Sequence, residues 1–264
     1  VVAETYLDKI VAQKKLRVNE RILQKPLNEL VAEVEKLSVN SKNSFYESLK
    51  RPIGPSIIAE IKRKSPSKGP LFENLEPLAL ATEYLNGGAS AFSILTEEDF
   101  FAGSDDDLKK VQQALQLPIL RKDFTVFEYQ IWEAKLLGAS AILLIAAILS
   151  DVEMTKFYEL AEKLNLDVLF EVHDKPELER VLSLNPKIVG VNNRNLKTFA
   201  VNLQTSFALR ESYSNNSEIL WVSESGIENK AQIDLLFKAG FKSFLIGETL
   251  LKNNNPKEKL RELL

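Results

Sequence analysis

The chain is 264 residues long, 45% hydrophobic and 27% charged, with a formal net charge of −3, which suits one large α/β domain or two small ones and lacks the basic excess of a nucleic-acid binder. It has no cysteine and a single histidine, His173, so disulfides, thiolate nucleophiles and Cys- or His-rich metal sites are excluded. No apolar run nears the roughly 20 residues of a membrane span, and Asp8, Lys9, Lys14, Lys15 and Arg17 interrupt any secretory leader; the expectation is a cytoplasmic monomer acting on a small molecule, with neither membrane nor nucleic acid as partner.

The chain opens with two predicted helices, 3–18 and 26–37, and a polar connection, VNSKNSFYESLKRP (39–52). This part has neither strand pattern nor linker composition, so it reads as an N-terminal helical extension, 1–52, packed on the rest of a single domain spanning 1–264. Lys14 and Lys15 read as a solvated helix face.

From residue 56, short apolar or β-branched runs alternate with amphipathic stretches, the βα pattern of a parallel sheet. The predicted strands are 56–62, 89–95, 118–122, 140–146, 166–172, 187–192, 218–224 and 242–247. Helices are predicted near 75–86, 104–116, 126–137, 152–164, 175–184, 203–210, 228–238 and 256–263, with Ser150 or Asp151 starting the fourth and Gly138 and Gly240 ending the third and seventh. Eight units predict a closed (β/α)8 TIM barrel, for which roughly 250 residues is typical. A doubly wound open sheet is the alternative, but it usually has fewer strands, and no GxGxxG follows the first strand.

Several of these apolar runs end in ionisable or amide side chains: Glu60 and Lys62, Lys122, Glu171, Asn192 and Glu224. Because strand side chains alternate, Ile58, Glu60 and Lys62 would share the face toward the barrel axis, and Ile57, Ala59 and Ile61 the face toward the helices. The pairs Leu120 and Lys122, Leu169 and Glu171, Gly190 and Asn192, and Val222 and Glu224 follow the same rule, apolar or small below and polar at the C-terminal mouth, where barrels carry active sites. Charges gathered there must pair or shift their pKa values. A lysine among them suits a Schiff base, a general acid or an anchor for an anion. The turns SESGI (223–227) and LIGET (245–249), after the seventh and eighth strands, suit a phosphate.

The segments IIAEIKRKSPSKG (57–69), SILTEEDFFAGS (93–104), PILRKDF (118–124), LLIAAIL (143–149), FEVHD (170–174), GVNNRNL (190–196), SESGI (223–227) and FLIGETL (244–250) occur in order along the chain. Together they resemble the indole-3-glycerol phosphate synthases of tryptophan biosynthesis. The resemblance implies a (β/α)8 barrel with a helical extension over its mouth, and a reaction needing no metal or organic cofactor. By that resemblance Lys122 would protonate the substrate's ketone oxygen, and Lys62 would hold the anthranilate carboxylate and serve as an acid in dehydration. Glu60, Glu171, Asn192 and Glu224 would bind hydroxyls, orient the lysines and assist proton transfer. Lys64, Ser65, Ser225, Gly226, Gly247 and Glu248 would surround the phosphate, Glu248 through its backbone N–H alone, because its carboxylate would repel the dianion. Phe101, Phe124, Arg194 and Leu196 would enclose the aromatic ring or neighbouring groups.

Other residues read as structural: His173 near the end of its strand, and Trp132 and Trp221 between helix and sheet. Asp105, Asp106 and Asp107 follow Ser104 at a helix start, where the dipole favours negative charge. Phe127 stands where a polar residue is expected to open a helix.

Overall fold

A computed structural model describes residues 5–37, 44–51, 53–65, 69–70, 75–213, 218–252 and 254–264, the side chains of Ser65 and Pro70 excepted. Residues 3 and 4 of the first predicted helix, 39–43 and 52 of the polar connection, and 66–68 of the first βα loop lie outside the described residues. Three helices come first: α1 (Tyr6–Gln24), α2 (Leu27–Glu35) and α3 (Phe45–Leu49). Next are β1 (Ser56–Ile61), a small antiparallel ribbon of β2 (Lys64–Ser65) and β3 (Gly69–Pro70), α4 (Pro77–Gly87), β4 (Ala91–Leu95), α5 (Asp105–Ala114), β5 (Ile119–Lys122) and α6 (Glu128–Leu137). The second half runs β6 (Ala141–Ile145), α7 (Asp151–Lys163), β7 (Asp167–Val172), α8 (Lys175–Leu182), β8 (Ile188–Asn192) and α9 (Gln204–Glu211). It ends with β9 (Leu220–Glu224), α10 (Lys230–Lys238), β10 (Ser243–Ile246), α11 (Glu248–Leu251) and α12 (Pro256–Leu263).

Strands β1 and β4 to β10 pair in parallel with their sequence neighbours, and β10 pairs with β1, closing the barrel. The predicted alternation holds. Ile57, Ala59 and Ile61 pack outward among the helices, whereas Ile58 joins Leu120, Leu143, Leu169, Val222 and Leu245 in the interior. One pleat period above Ile58, Leu120, Leu169 and Val222, the same strands carry Glu60, Lys122, Glu171 and Glu224 at the mouth.

The extension departs from expectation in three ways. The first helix runs on to Gln24, since nothing in 19–24 breaks it and Arg21, in its last turn, reaches Glu98, Asp105 and Glu133. The polar connection contains α3, whose N-cap Ser44 accepts from Glu47 N. Phe45 and Leu49 join the interior cluster, while Ser44 Oγ and Tyr46 N donate to Asp167 at the start of β7. Hence α1 lies at the mouth and α3 at the opposite end. Thirdly, Lys14 is not solvated. It is 2% exposed, with Nζ 2.9 Å from Asp123 Oδ1 and 3.8 Å from Glu97 Oε1; Lys15 alone faces solvent.

Asp105 and Asp107 do more than complement a dipole: Asp105 binds Arg21 and Arg121, and buried Asp107 binds Arg63. Trp221 packs between sheet and helices as expected, whereas Trp132 also reaches the patch of Val18, Leu30 and Tyr129 beneath α1 and α2. Phe127 packs on the same patch, and the donors at that helix start, Val126 N and Phe127 N, are accepted by Gln130 Oε1.

Candidate active site

Parallel register brings the strand-end residues side by side: Asn192 is opposite Glu224 and Leu95 opposite Lys122, while Glu171 is flanked by Ile145 and Gly190. Glu60 Oε2 lies 2.5 Å from Lys62 Nζ, and Glu171 Oε2 lies 3.4 Å from Lys122 Nζ. The other Glu171 oxygen faces His173 Nε2 at 3.3 Å, and Asn192 Oδ1 accepts from Arg194 N at 3.0 Å. Two glycines make room for the carboxylates. A Cβ on Gly190 would stand 2.1 Å from Glu224 Oε1, and one on Gly247 would stand 2.3 Å from Glu60 Oε2.

Burial and pairing compete at each group. For Lys122, burial opposes the charge, but Glu171, Glu224 and Glu60 outweigh it and hold the ammonium well above its usual range. For Glu171, burial is overcome by Lys122 and His173, and the carboxyl stays well below the carboxylate range. Glu224 goes the other way. Burial first, then the charge of Glu171, push it up to about 8 against the pull of Lys122. Its Oε1 is buried and has no hydrogen-bond partner among the described residues.

Two adjoining cavities open from this cluster, both lined by Glu60, Lys62, Lys122, Asn192, Arg194, Ser225 and Glu248. The first has apolar walls: Phe101 and Phe124, with ring centroids 6.0 Å apart, Leu196 and Phe199, and Tyr6, Leu7 and Ile10 of α1. The second, about 420 Å³, is bounded by Glu224, Ser225, Gly226, Gly247, Glu248 and Lys252. There Ser225 (φ +66°) and Gly226 (φ +79°) are both left-handed, an uncommon conformation for serine that marks the turn after β9 as constrained. The carboxylate of Glu248 is held by Arg194 Nη2 at 2.9 Å, so its charge is balanced at the mouth.

The expected residues thus converge, with two exceptions. Lys64 lines neither cavity, and the side chain of Ser65 lies outside the described residues. Sequence reading missed Tyr6, Leu7, Ile10, Phe199, Asp123 and Lys252; the apolar Tyr6 and Ile10, one helical turn apart, were the available signal. It also missed Asn193. Its Nδ2 donates to Ser223 Oγ, Glu224 O and Ser225 O, fixing the turn that carries Glu224 and Ser225.

The family model for indole-3-glycerol phosphate synthase matches residues 7–263. The chain belongs to that family. The synthase of Chlorobium chlorochromatii is 46% identical over 251 residues, covering 93% of this chain and 95% of that protein. The synthase of Acetivibrio thermocellus is 41% identical over 256 residues, covering 97% and 98%. Among solved structures, the barrel also resembles 3-hexulose-6-phosphate synthase (TM-score 0.63, 16% identity, 79% of this chain and 97% of that one). It resembles the N-acetylmannosamine-6-phosphate 2-epimerase of Clostridium perfringens as well (TM-score 0.61, 13% identity, 81% and 93%). At these identities the likeness is one of fold alone, whereas the match across indole-3-glycerol phosphate synthases extends from α1 to α12.

Proposed function

We propose that this family member converts 1-(2-carboxyphenylamino)-1-deoxyribulose 5-phosphate to indole-3-glycerol phosphate through the side chains of the barrel mouth. The observation that carries the reading is the shared ionic cluster between an apolar cavity and a polar one. An aromatic ring suits the first, a phosphate the second, and the reacting carbons would then lie among Lys62, Lys122, Glu171 and Glu224.

Ring closure begins when the ring carbon bearing the carboxylate attacks the ketone. The developing alkoxide takes a proton from Lys122, which its carboxylate neighbours keep charged at neutral pH. An ammonium so held is the wrong form for a Schiff-base nucleophile, which must be a free amine. Lys62 anchors the substrate carboxylate, whose loss as CO2 restores the aromatic ring. Dehydration then needs an acid for the departing hydroxyl and a base for the proton on the neighbouring carbon. Lys62, freed when CO2 leaves, and Glu224, whose pKa is raised, serve as acids; Glu60 and Glu171 are the bases within reach, and Asn192, which lines both cavities, binds a hydroxyl. Ser225, Gly226, Gly247 and the backbone of Glu248 receive the phosphate, with Lys252 adding a cation. Phe101, Phe124 and Leu196 flank the ring, and Arg194 keeps the Glu248 carboxylate away from the dianion.

Supplied with this substrate, the protein produces indole fluorescence, and Lys122→Met lowers the rate by at least ~10²-fold. A wild-type protein that leaves the substrate unchanged overturns the proposal.

A further inference from the structure

Just past the end of β7, the charged cluster continues away from the cavities. Glu171 Oε1 faces His173 Nε2 at 3.3 Å, an ion-pair contact without the alignment of a hydrogen bond, and His173 Nδ1 lies 3.1 Å from Glu177 Oε2. Glu177, in the first turn of α8, also accepts from His173 N at 2.7 Å and is anchored by a hydrogen bond from its own N–H to Asp174. The ring is 14% exposed and lines neither cavity. A neutral imidazole has one unprotonated nitrogen, and here that nitrogen would lie within 3.3 Å of a carboxylate oxygen on whichever side it stood. Only the doubly protonated ring suits both neighbours.

We propose that His173 is a positioning residue for the reaction: its imidazolium, gripped by Glu177, holds the Glu171 carboxylate as the fixed anion against which Lys122 is set. The arrangement is a chain of alternating charge, Glu177, His173, Glu171, Lys122, running from α8 through β7 to β5. The charged groups around the ring are Glu171 from its own strand and Glu177 from α8; Lys122 lies beyond Glu171, and the field of the ring reaches Glu224 on β9. Pairing with the two carboxylates outweighs burial and raises the ring's pKa to about 10, in accord with that geometry. The role in catalysis rests on the reaction proposed above, whereas the state of the ring does not.

His173 is the chain's only histidine, so ¹⁵N NMR reports its ring without ambiguity. The wild-type ring stays doubly protonated through pH 8, and Glu177→Gln lowers its midpoint by about one unit or more. A ring that titrates near the ordinary ~6.5 overturns the proposal, whatever substrate the protein accepts. In steady-state kinetics with the carboxyphenylamino substrate, His173→Asn lowers kcat about tenfold, the population change of one pKa unit. KM changes little, the acid limb of the pH profile moves upward because Glu171 has lost one of its two cations, and Glu177→Gln shifts that limb in the same direction by less. An unchanged kcat and an unmoved limb in both variants overturn the positioning role. Should His173→Asn fail to fold, the Glu177→Gln arm and the wild-type titration still decide. Absence of indole formation by the wild type, with the ring charged as stated, defeats the reaction and not the charge chain.

Discussion

Strand β5 ends in Arg121 and Lys122, and these neighbours belong to two buried ionic clusters on opposite faces of the barrel wall. On the outer face, each nitrogen of Arg121 is directed to a partner: Nε to Thr96, Nη1 to Gln130 O, and Nη2 to Asp105 and Glu133. Asp123, the next residue, is closed by Lys14, Thr96 and its own turn. On the inner face, among the described residues, Lys122 has a single carboxylate contact, at 3.4 Å, and Glu224 Oε1 has no hydrogen-bond partner, while both residues line a cavity. Two clusters of similar composition therefore differ in saturation. A filled set of partners fixes a strand and the helix above it; an unfilled one beside a cavity holds charge in reserve for a ligand.

The contrast breaks first at Arg121. Arg121→Met removes the cation shared by Asp105 and Glu133 and leaves them to Arg21 alone, and Asp123 to Lys14; it should cost about 3–5 kcal/mol in a urea denaturation experiment. Lys122→Met should cost less stability, because its carboxylates can reach cavity water or take up protons, while losing the larger share of activity; equal destabilisation by the two changes would erase the distinction. Gly190→Ala tests the inner cluster without removing a charge. Its Cβ drives the Glu224 carboxylate aside, so kcat should fall by up to ~10²-fold, the order expected of an ångström-scale misplacement, with the circular dichroism spectrum retained.

A smaller effect is the pH slope from Glu224. Its folded pKa, about 8, exceeds the ordinary 4.5, so between those values the folded protein keeps a proton that the unfolded chain has released. Stability therefore falls as pH rises through that window, with a limiting slope of about 1.4 kcal/mol per pH unit. Glu224→Gln should flatten this slope in pH-dependent denaturation, and should remove a bend near pH 8 in kcat/KM. The weakest test is Lys230 with Asp234, an exposed i,i+4 pair on α10. Replacing both by alanine should change stability by less than ~0.5 kcal/mol.

The inner cluster was legible in the sequence because strand periodicity is local: once Ile58 faces inward, Glu60 must follow. The outer cluster was not. Lys14 meets Asp123 across more than a hundred residues, and on a helix its neighbours Lys15 and Arg17 gave it the appearance of a wet face. Asp105 was read from its helix position alone, since nothing nearby announces Arg21 or Arg121. The same limit hid Tyr6 and Ile10, ordinary apolar residues until the fold brings them over Phe101. Phe127 looked misplaced because its covering, Val18 and Leu30, belongs to the extension. The short helix α3 was lost in a polar stretch whose apolar members, Phe45 and Leu49, are too few to show a period.

That short helix changes what a truncation would mean. Residues ahead of β1 roof the mouth through Tyr6 and Ile10 and cork the floor through Phe45 and Leu49. Deleting them together would unseal both ends at once, and a drop in turnover could not be assigned to either. Only substitutions confined to one helix, such as Ile10→Ala for the roof or Phe45→Ala for the cork, would separate an effect on substrate from an effect on the barrel itself.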